Sequence, residues 1–389
     1  MSHFNCYVPN LRFDFDDLWK EYPLSSFVNR IKRKNIGNIS NLPLTISAQH
    51  GLIDQQSFFG KKVASSNLEN YYLLNRGDFT YNKSYSKDYP WGAIKRLDYY
   101  ECGVVSNLYI CFSPSKSIDS DYLAHYFESD KWFKQISAIA GEGARNHGLL
   151  NMSINDFFKT KHYLPSYDEQ RKIGRFLNLV EEKIETQNKI ISNIQSLIKQ
   201  INDDVFNKDK NCSMKDCIKE LSIRNKDGKI NNVLSVSNKL GFIKQSEQFE
   251  DKEVASDDKT NYKIVQNETF AYNPARINVG SIALYKKAED GIVSPMYTCF
   301  KSKSGLEKIL EMFFKSQSFK KEMNKRLEGS VRMCLTIDAM KNIKFHMPDS
   351  QEQKILSLVE KLVEKKILEN NLLNTYLKQK EYLLSNLFI

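Results

Sequence analysis

The chain is written twice. Asn70-Tyr71-x-Leu73-Leu74, followed by Phe79-x-Tyr81-Asn82, returns 191 residues later as Asn261-Tyr262-x-Ile264-Val265, followed by Phe270-x-Tyr272-Asn273. Upstream, Gly51-x-Ile53-x-Gln55 matches Gly241-x-Ile243-x-Gln245, and Val63-Ala64-Ser65 matches Val254-Ala255-Ser256. Downstream, Gly103-Val104-Val105-Ser106 matches Gly291-Ile292-Val293-Ser294, and Cys111-Phe112 matches Cys299-Phe300. Pro165 with Glu169-Gln170 then returns as Pro348 with Glu352-Gln353, 183 residues on. The blocks keep their order while their spacing drifts slowly. Duplication with small loop changes produces that pattern, and it restricts the fold to two copies of one unit.

Each copy opens with about 150 residues of mixed character. Short β-branched and aromatic runs read as strands: Tyr71 to Leu74, Val104 to Phe112, Lys263 to Val265 and Ser281 to Tyr285. Asp121 to Ala138 and Leu306 to Leu327 read as amphipathic helices. Asn75-Arg76-Gly77, Pro90-Trp91-Gly92 and Asn273-Pro274 punctuate them as turns. The expected class is α+β, with globular domains over 1–164 and 208–347 and long helices over 165–207 and 348–389.

The helices carry the second half of each copy. Pro165 and Pro348 stand just before the starts, with Ser166 or Asp168, and Ser350, as expected N-caps. In the first helix Ile173, Leu177, Val180, Ile184, Gln187, Ile191, Ile194, Ile198, Ile201 and Val205 alternate spacings of four and three. That is the seam of a coiled coil, on a helix on the order of 60 Å long. In the second, the equivalent positions are Leu356, Val363, Ile367, Asn370, Asn374, Leu377, Leu384 and Phe388. Gln187 and Asn370 fall at one repeat position. A polar seam residue can fix register, so the two amides are expected near a shared layer of an antiparallel pair. The plainer alternative is that both point to solvent.

The 57 Lys+Arg against 47 Asp+Glu leave a net charge of +10, a surplus that favours a polyanionic partner. No basic-then-apolar leader opens the sequence, and no apolar run reaches membrane-spanning length. A mean hydropathy of −0.51 agrees with a soluble chain. The seven cysteines are scattered without a CxxC, as expected of reduced thiols in a cytoplasm. Cys212 and Cys217 come closest to ligand spacing, but no Cys/His pair follows to complete a zinc site.

Two α+β domains, each followed by a long helix opening Pro…Glu-Gln, resemble the DNA-specificity subunit of bacterial type I restriction-modification systems. The opening Val8-Pro9-Asn10-Leu11-Arg12-Phe13 with Trp19 is similar to that family's start, and so is Tyr272-Asn273-Pro274-Ala275-Arg276 with Gly280. The resemblance covers nearly the whole chain. The first copy departs from it, because Lys83-Ser84 follows Tyr81-Asn82 with neither Pro nor Arg.

The resemblance implies that each target-recognition domain reads one half of a split site in double-stranded DNA. The helices would pair as an antiparallel coiled coil that sets the spacing. Two modification subunits would dock on the helices and adjacent surfaces, methylating adenine N6 with S-adenosylmethionine. Two restriction subunits, using ATP and Mg²⁺, can join. The chain itself would bind no cofactor and catalyse nothing.

Direct readings of enzymatic motifs are weaker. Asn273-Pro274-Ala275-Arg276 is similar to the Asn-Pro-Pro-aromatic corner of amino-methyltransferases, but Arg276 stands where the aromatic would stack on a flipped base. Pro348-Asp349 with Glu352-Gln353-Lys354 imitates a metal nuclease's carboxylates, yet it opens a helix. No Walker A motif and no HExxH occur, and the six histidines are isolated. A coiled-coil scaffold, or a stand-alone DNA-binding protein, remains the alternative to a specificity subunit.

Base readout needs Arg or Lys for guanine and Asn or Gln for adenine, and phosphates are held by Lys, Arg, Ser or backbone NH. Two loops per copy supply such residues. The first holds Tyr81, Asn82, Lys83, Ser84, Tyr85, Lys87 and then Trp91, repeated as Tyr272, Asn273 and Arg276. The second holds Arg145, Asn146 and His147, repeated as Ser330 and Arg332. The run Arg30-Ile31-Lys32-Arg33-Lys34 is a further, weaker phosphate candidate.

Overall fold

A computed structural model describes residues 8–47, 50–61, 64–65, 67–86, 89–145, 148–238, 240–248, 258–303, 305–329 and 333–389. The chain forms two compact units. One comprises residues 1–188 and 372–389, the other residues 189–371. Each joins one globular domain to a stretch of both long helices.

The central sheet is built alike in the two. In the first unit its order is Val28–Arg30, Ile110–Pro114, Phe79–Asn82 and Ala93–Arg96. In the second it is Ile218–Leu221, Thr298–Ser302, Thr269–Tyr272 and Ile282–Leu284. All neighbours in both sheets are antiparallel. Period-two alternation drives the paired Phe residues of the two repeats into the core. Phe79 stacks on Phe112 at 5.5 Å with Phe127 edge-on, and Phe270 stacks on Phe300 at 5.1 Å with Phe314 edge-on.

Three expected elements divide. Val104 to Phe112 is two strands, Cys102–Val105 and Ile110–Pro114, because Tyr109 N bonds Ser106 O and closes a turn between them. Each long amphipathic run is two helices. Ser120–Glu128 and Phe133–Ile139 are parted at Ser129, whose hydroxyl returns to the Tyr126 carbonyl at 2.7 Å. Glu307–Phe313 and Gln317–Asn324 are parted at Ser316, which caps the second by accepting from Phe319 N.

The long helices run over Tyr167–Phe206 and Ser350–Asn386. Every seam position expected on the central helix, Ile173 through Ile201, turns inward, fully or in part. The distal helix differs. Leu356 is buried and Asn370 and Leu384 are half-buried, but Val363, Ile367 and Leu377 are exposed. The inward stripe there runs instead through Val359, Leu362, Lys366, Leu373, Tyr376, Lys380 and Leu383. Lys366 and Lys380 lay their alkyl stems along the seam and carry the ammonium groups to the facing helix.

Pairing is antiparallel within each unit. In the first, Lys380 meets Glu181 at 2.7 Å and Lys183 lies over the Tyr376 ring. In the second, Lys366 donates to Gln195 at 2.9 Å. Asn370 bonds the Lys366 carbonyl of its own helix at 2.6 Å, and Gln187 is buried rather than solvent-facing. Asp349, not Ser350, caps the distal helix. It accepts from Gln351 N and Glu352 N, while Glu352 accepts from Asp349 N in return. Among the described residues no helix is long and apolar enough to cross a membrane.

Candidate nucleic-acid interface

Each unit brings its two candidate loops together. In the first, Tyr85 N donates to Gly148 O at 2.8 Å, and Leu150 N donates to Lys83 O at 2.9 Å. The loop after the Phe79–Asn82 strand thus lies along the hairpin of Gly141–Arg145 and Leu149–Asn151, in which Arg145 faces Leu149. In the second unit Leu335 N donates to Pro274 O at 3.1 Å. Glu328 and Cys334 exchange backbone bonds at 2.9 and 2.8 Å. Lys87, Asn146, His147, Ser330 and Arg332 lie outside the described residues, and Arg145 is described by its backbone alone.

The two tyrosines are not on this surface. Tyr81 and Tyr272 are fully buried. Tyr81 stacks on Phe157 and donates its hydroxyl to Trp91 O at 2.7 Å; Tyr272 donates to Leu335 O at 3.1 Å. Burial pushes both hydroxyls up, so they stay protonated donors. Expected at the DNA-reading loops, they are instead core residues whose hydroxyls pin those loops. The sequence held the signal: residues two apart on a strand share a face, so Tyr81 follows Phe79 inward.

The neighbouring asparagines are turn-formers. Asn82 Oδ1 accepts from Ser84 N and Ser84 Oγ, at 3.1 and 2.8 Å. Asn273 Oδ1 accepts from Ala275 N at 3.0 Å. Each amide oxygen accepts within its own loop, that of Asn82 twice, so both side chains are tied into the turn. Gly92 closes the first loop at φ +76°, where a Cβ would collide with the Asn82 carbonyl. Tyr85 and Arg276 are exposed, and the Arg276 guanidinium has no partner among the described residues. Lys83 and Ser84 are half-buried beside Tyr85.

The basic run at 30–34 is structural at its end. Arg33 pairs with Asp78 and donates to Leu73 O at 2.8 Å, and Lys34 lies over the Tyr72 ring. Desolvation of Asp78 raises its carboxyl pKa despite Arg33. Cys212 and Cys217 place their sulfurs 3.2 Å apart, but among the described residues no group of three His, Cys, Asp or Glu could hold a metal.

The chain aligns with the type I restriction-modification system S subunit from M. genitalium, at a TM-score of 0.55 over 98% of this chain and 99% of that one. The fold is that of a type I S subunit. A second S-fold match, at 0.55 over 96% and 98%, comes from a structure concerned with complex assembly and conformational transition of the type I R-M system. Identities are 12% and 13%, so the S-subunit likeness is one of architecture. No family model and no curated protein sequence matches the chain.

Apolar side chains are left in the open on both long helices. In the second unit Ile355, Leu358, Val363, Ile367 and Leu368 are exposed on the distal helix, and Ile190 and Leu197 on the central one. In the first unit Leu179, Leu372, Leu377 and Tyr382 are exposed.

Proposed function

We propose that this chain is the non-catalytic DNA-specificity subunit of a type I restriction-modification complex. Each domain reads one half of a bipartite site in double-stranded DNA, and the helix pair sets the distance between halves. Partner modification subunits, which hold S-adenosylmethionine, methylate adenine N6 in each half. Restriction subunits with ATP and Mg²⁺ cleave when they join. The observation that carries the reading is the repeated convergence of two polar loops at one place in each copy, within an S-subunit fold. Two readers on one frame add their binding energies, and geometry alone fixes the spacer.

Among the described loop residues, Arg276 carries an unpartnered guanidinium for guanine or phosphate, and Asn82, Lys83, Ser84 and Tyr85 form the corresponding loop of the first domain. Arg145, Lys87, Asn146, His147, Ser330 and Arg332 complete the proposed set. The exposed apolar residues of the helices are the docking surface for the modification subunits.

The test is methylome sequencing of a methylation-deficient bacterial host expressing the chain with its neighbouring modification subunit. One bipartite motif, N6-methylated in both halves, is expected. Arg276→Ala with Arg332→Ala should abolish it. The purified chain alone, given S-adenosylmethionine and DNA, should methylate nothing; methylation without a partner would overturn the non-catalytic assignment. Absence of any motif with both subunits expressed would return the chain to a coiled-coil scaffold.

A further inference from the structure

The second unit contains an open groove of about 940 Å³ beside the Arg276 turn. One wall is made of two abutting loops. The hairpin tip between Val233–Ser237 and Gly241–Lys244 carries Asn238, and the short 3-10 turn Ile277–Val279 carries Asn278. A buried bond from Ser281 Oγ to Val236 O, at 2.9 Å, ties the loops together. Gly280, at φ +91°, lets the turn run alongside the hairpin tip, where a Cβ would stand in ordinary contact, 3.7 Å from the Asn238 Cβ. Both asparagines are exposed, and neither side-chain amide has a partner among the described residues. They therefore keep oxygen and nitrogen free, which Asn273 does not.

The rim is basic. Lys286 and Lys315 both reach Glu311, at 2.7 and 3.1 Å, and cancel the one carboxylate lining the groove. Lys287 and Lys320 stand exposed without an ion-pair partner among the described residues. The fold does not force this arrangement. At the corresponding edge strand of the first unit, Lys95 pairs with Glu128 and Arg96 with Asp98 and Asp121. The space left there is about 180 Å³.

We propose that this groove receives one strand of the second half-site, with Asn238 and Asn278 reading adenine and Lys287 and Lys320 holding phosphates. The assignment rests on the specificity-subunit reading and goes beyond it in naming the base and the residues. Charge complementarity and continuity with the Arg276 turn select DNA as the occupant. Two amides on mutually braced loops supply the paired acceptor and donor that adenine N6 and N7 require.

The experiment uses the full chain with its modification subunit. Asn238→Ala and Asn278→Ala should each relax an adenine position in one half of the methylated motif, by about 10- to 100-fold in discrimination, and leave the other half stringent. Stringency retained in the other half shows that the variant is folded. Lys287→Ala with Lys320→Ala should weaken binding to all sequences alike and lower the salt slope, log K against log salt, by about 1.8. A wild-type motif with every position unchanged in both asparagine variants would overturn the assignment while leaving the specificity role intact. Failure of the wild-type complex to methylate any motif would remove the underlying reading, and the assignment with it.

Discussion

The side-chain amide of Gln170 donates to the carbonyl oxygen of Pro165 at 3.0 Å. Gln353 repeats the contact with Pro348, again at 3.0 Å. This is the physical content of the Pro…Glu-Gln signature: the side chain folds back over the first helical turn and ties the helix to the strand that feeds it. The copies differ in what else the amide does. Gln170 is buried, and its oxygen also accepts from Asp119 N at 2.9 Å, joining the central helix to the cap of a domain helix. Gln353 is exposed and makes one bond of the pair. Gln170→Leu strands two backbone groups and should cost about 1–3 kcal/mol. Gln353→Leu should cost less than half as much. Denaturant midpoints of the two variants, compared at equal slope, decide the order.

Gly174 is the position where a helix former should harm a helix. It lies buried in the central helix, and an added Cβ would stand 2.7 Å from Tyr122 N and 2.9 Å from Asp119 Oδ1. Both atoms belong to the start of the Ser120–Glu128 helix, whose cap would have to move. Alanine gains about 1 kcal/mol in helix propensity, but overpacking costs about 1–3 kcal/mol. Gly174→Ala should therefore lower the melting temperature of the first unit. Melting followed by tryptophan fluorescence is selective, because Trp19, Trp91 and Trp132 all lie in that unit. A raised melting temperature would contradict the close approach.

Much of this was legible in the residues, and the exceptions have causes. The central seam could be read because its helix buries one stripe, and that stripe is apolar. The distal seam could not. Ile355, Val363, Ile367 and Leu377 are apolar yet exposed, while Lys366, Tyr376 and Lys380 face inward with polar tips. Hydrophobic spacing cannot separate a face that meets its partner helix from one left open, and transferring positions from the first repeat compounded the error. At the loops, the sequence located both segments but not their contact, which depends on backbone bonds such as Leu335 N to Pro274 O. Asn238 and Asn278 escaped notice because neither belongs to a repeated block. Their significance comes from two loops meeting in space.

The units should respond to acid in different pH windows. His162 lies between Tyr126 Oη and Thr160 Oγ1, at 2.7 and 2.8 Å, and burial holds its pKa down at about 4. An unfolded histidine takes its proton near 6.5, so between about 6.5 and 4 the unfolded state binds more protons. Stability of the first unit is full above that window and falls as pH drops through it, by on the order of 3 kcal/mol. Buried His125 acts in the same direction. In the second unit the Glu352 carboxylate is held at about 2 by its hydrogen bond with Lys208 and then by His346. Its contribution is present above about 4.5 and is lost only as pH falls toward 2. Tryptophan-monitored unfolding should weaken from pH 6.5 downward, and His162→Gln should flatten that slope. An equally steep slope in the variant would place the proton uptake elsewhere.

Arg12 and Glu169 are the longest-range ionic contact at the start of the central helix. Arg12 donates twice to the fully buried carboxylate, at 2.8 Å each, and Trp19 Nε1 adds a bond at 3.3 Å. Glu169 sits at the third helical position, where its counterpart Glu352 closes a capping box; here the carboxylate is committed to the N-terminal segment instead. Arg12→Ala leaves a buried charge without its partner and should cost about 3–5 kcal/mol. Arg12→Met with Glu169→Gln removes both charges and should recover part of that loss. A double variant no better than Arg12→Ala would mean the segment is held by its other contacts, such as Leu11 N to Asn386 O.

Ile367 and Leu368 separate folding from assembly. They are 57% and 67% exposed on the distal helix, so neither contributes a buried side chain to the second unit. Lysine at both positions keeps helix propensity and should change stability by no more than about 0.5 kcal/mol each. If the exposed stripe is where a modification subunit docks, two charges there must be desolvated on binding, a penalty that outweighs the apolar area lost. Ile367→Lys with Leu368→Lys should therefore fold normally, lose co-purification of the modification subunit, and gain solubility when expressed alone. Retained co-purification would move the docking surface off this face, to the domains or to the exposed residues of the central helix. A variant that loses the partner and also unfolds earlier in denaturant would show instead that the stripe is packed within the unit itself.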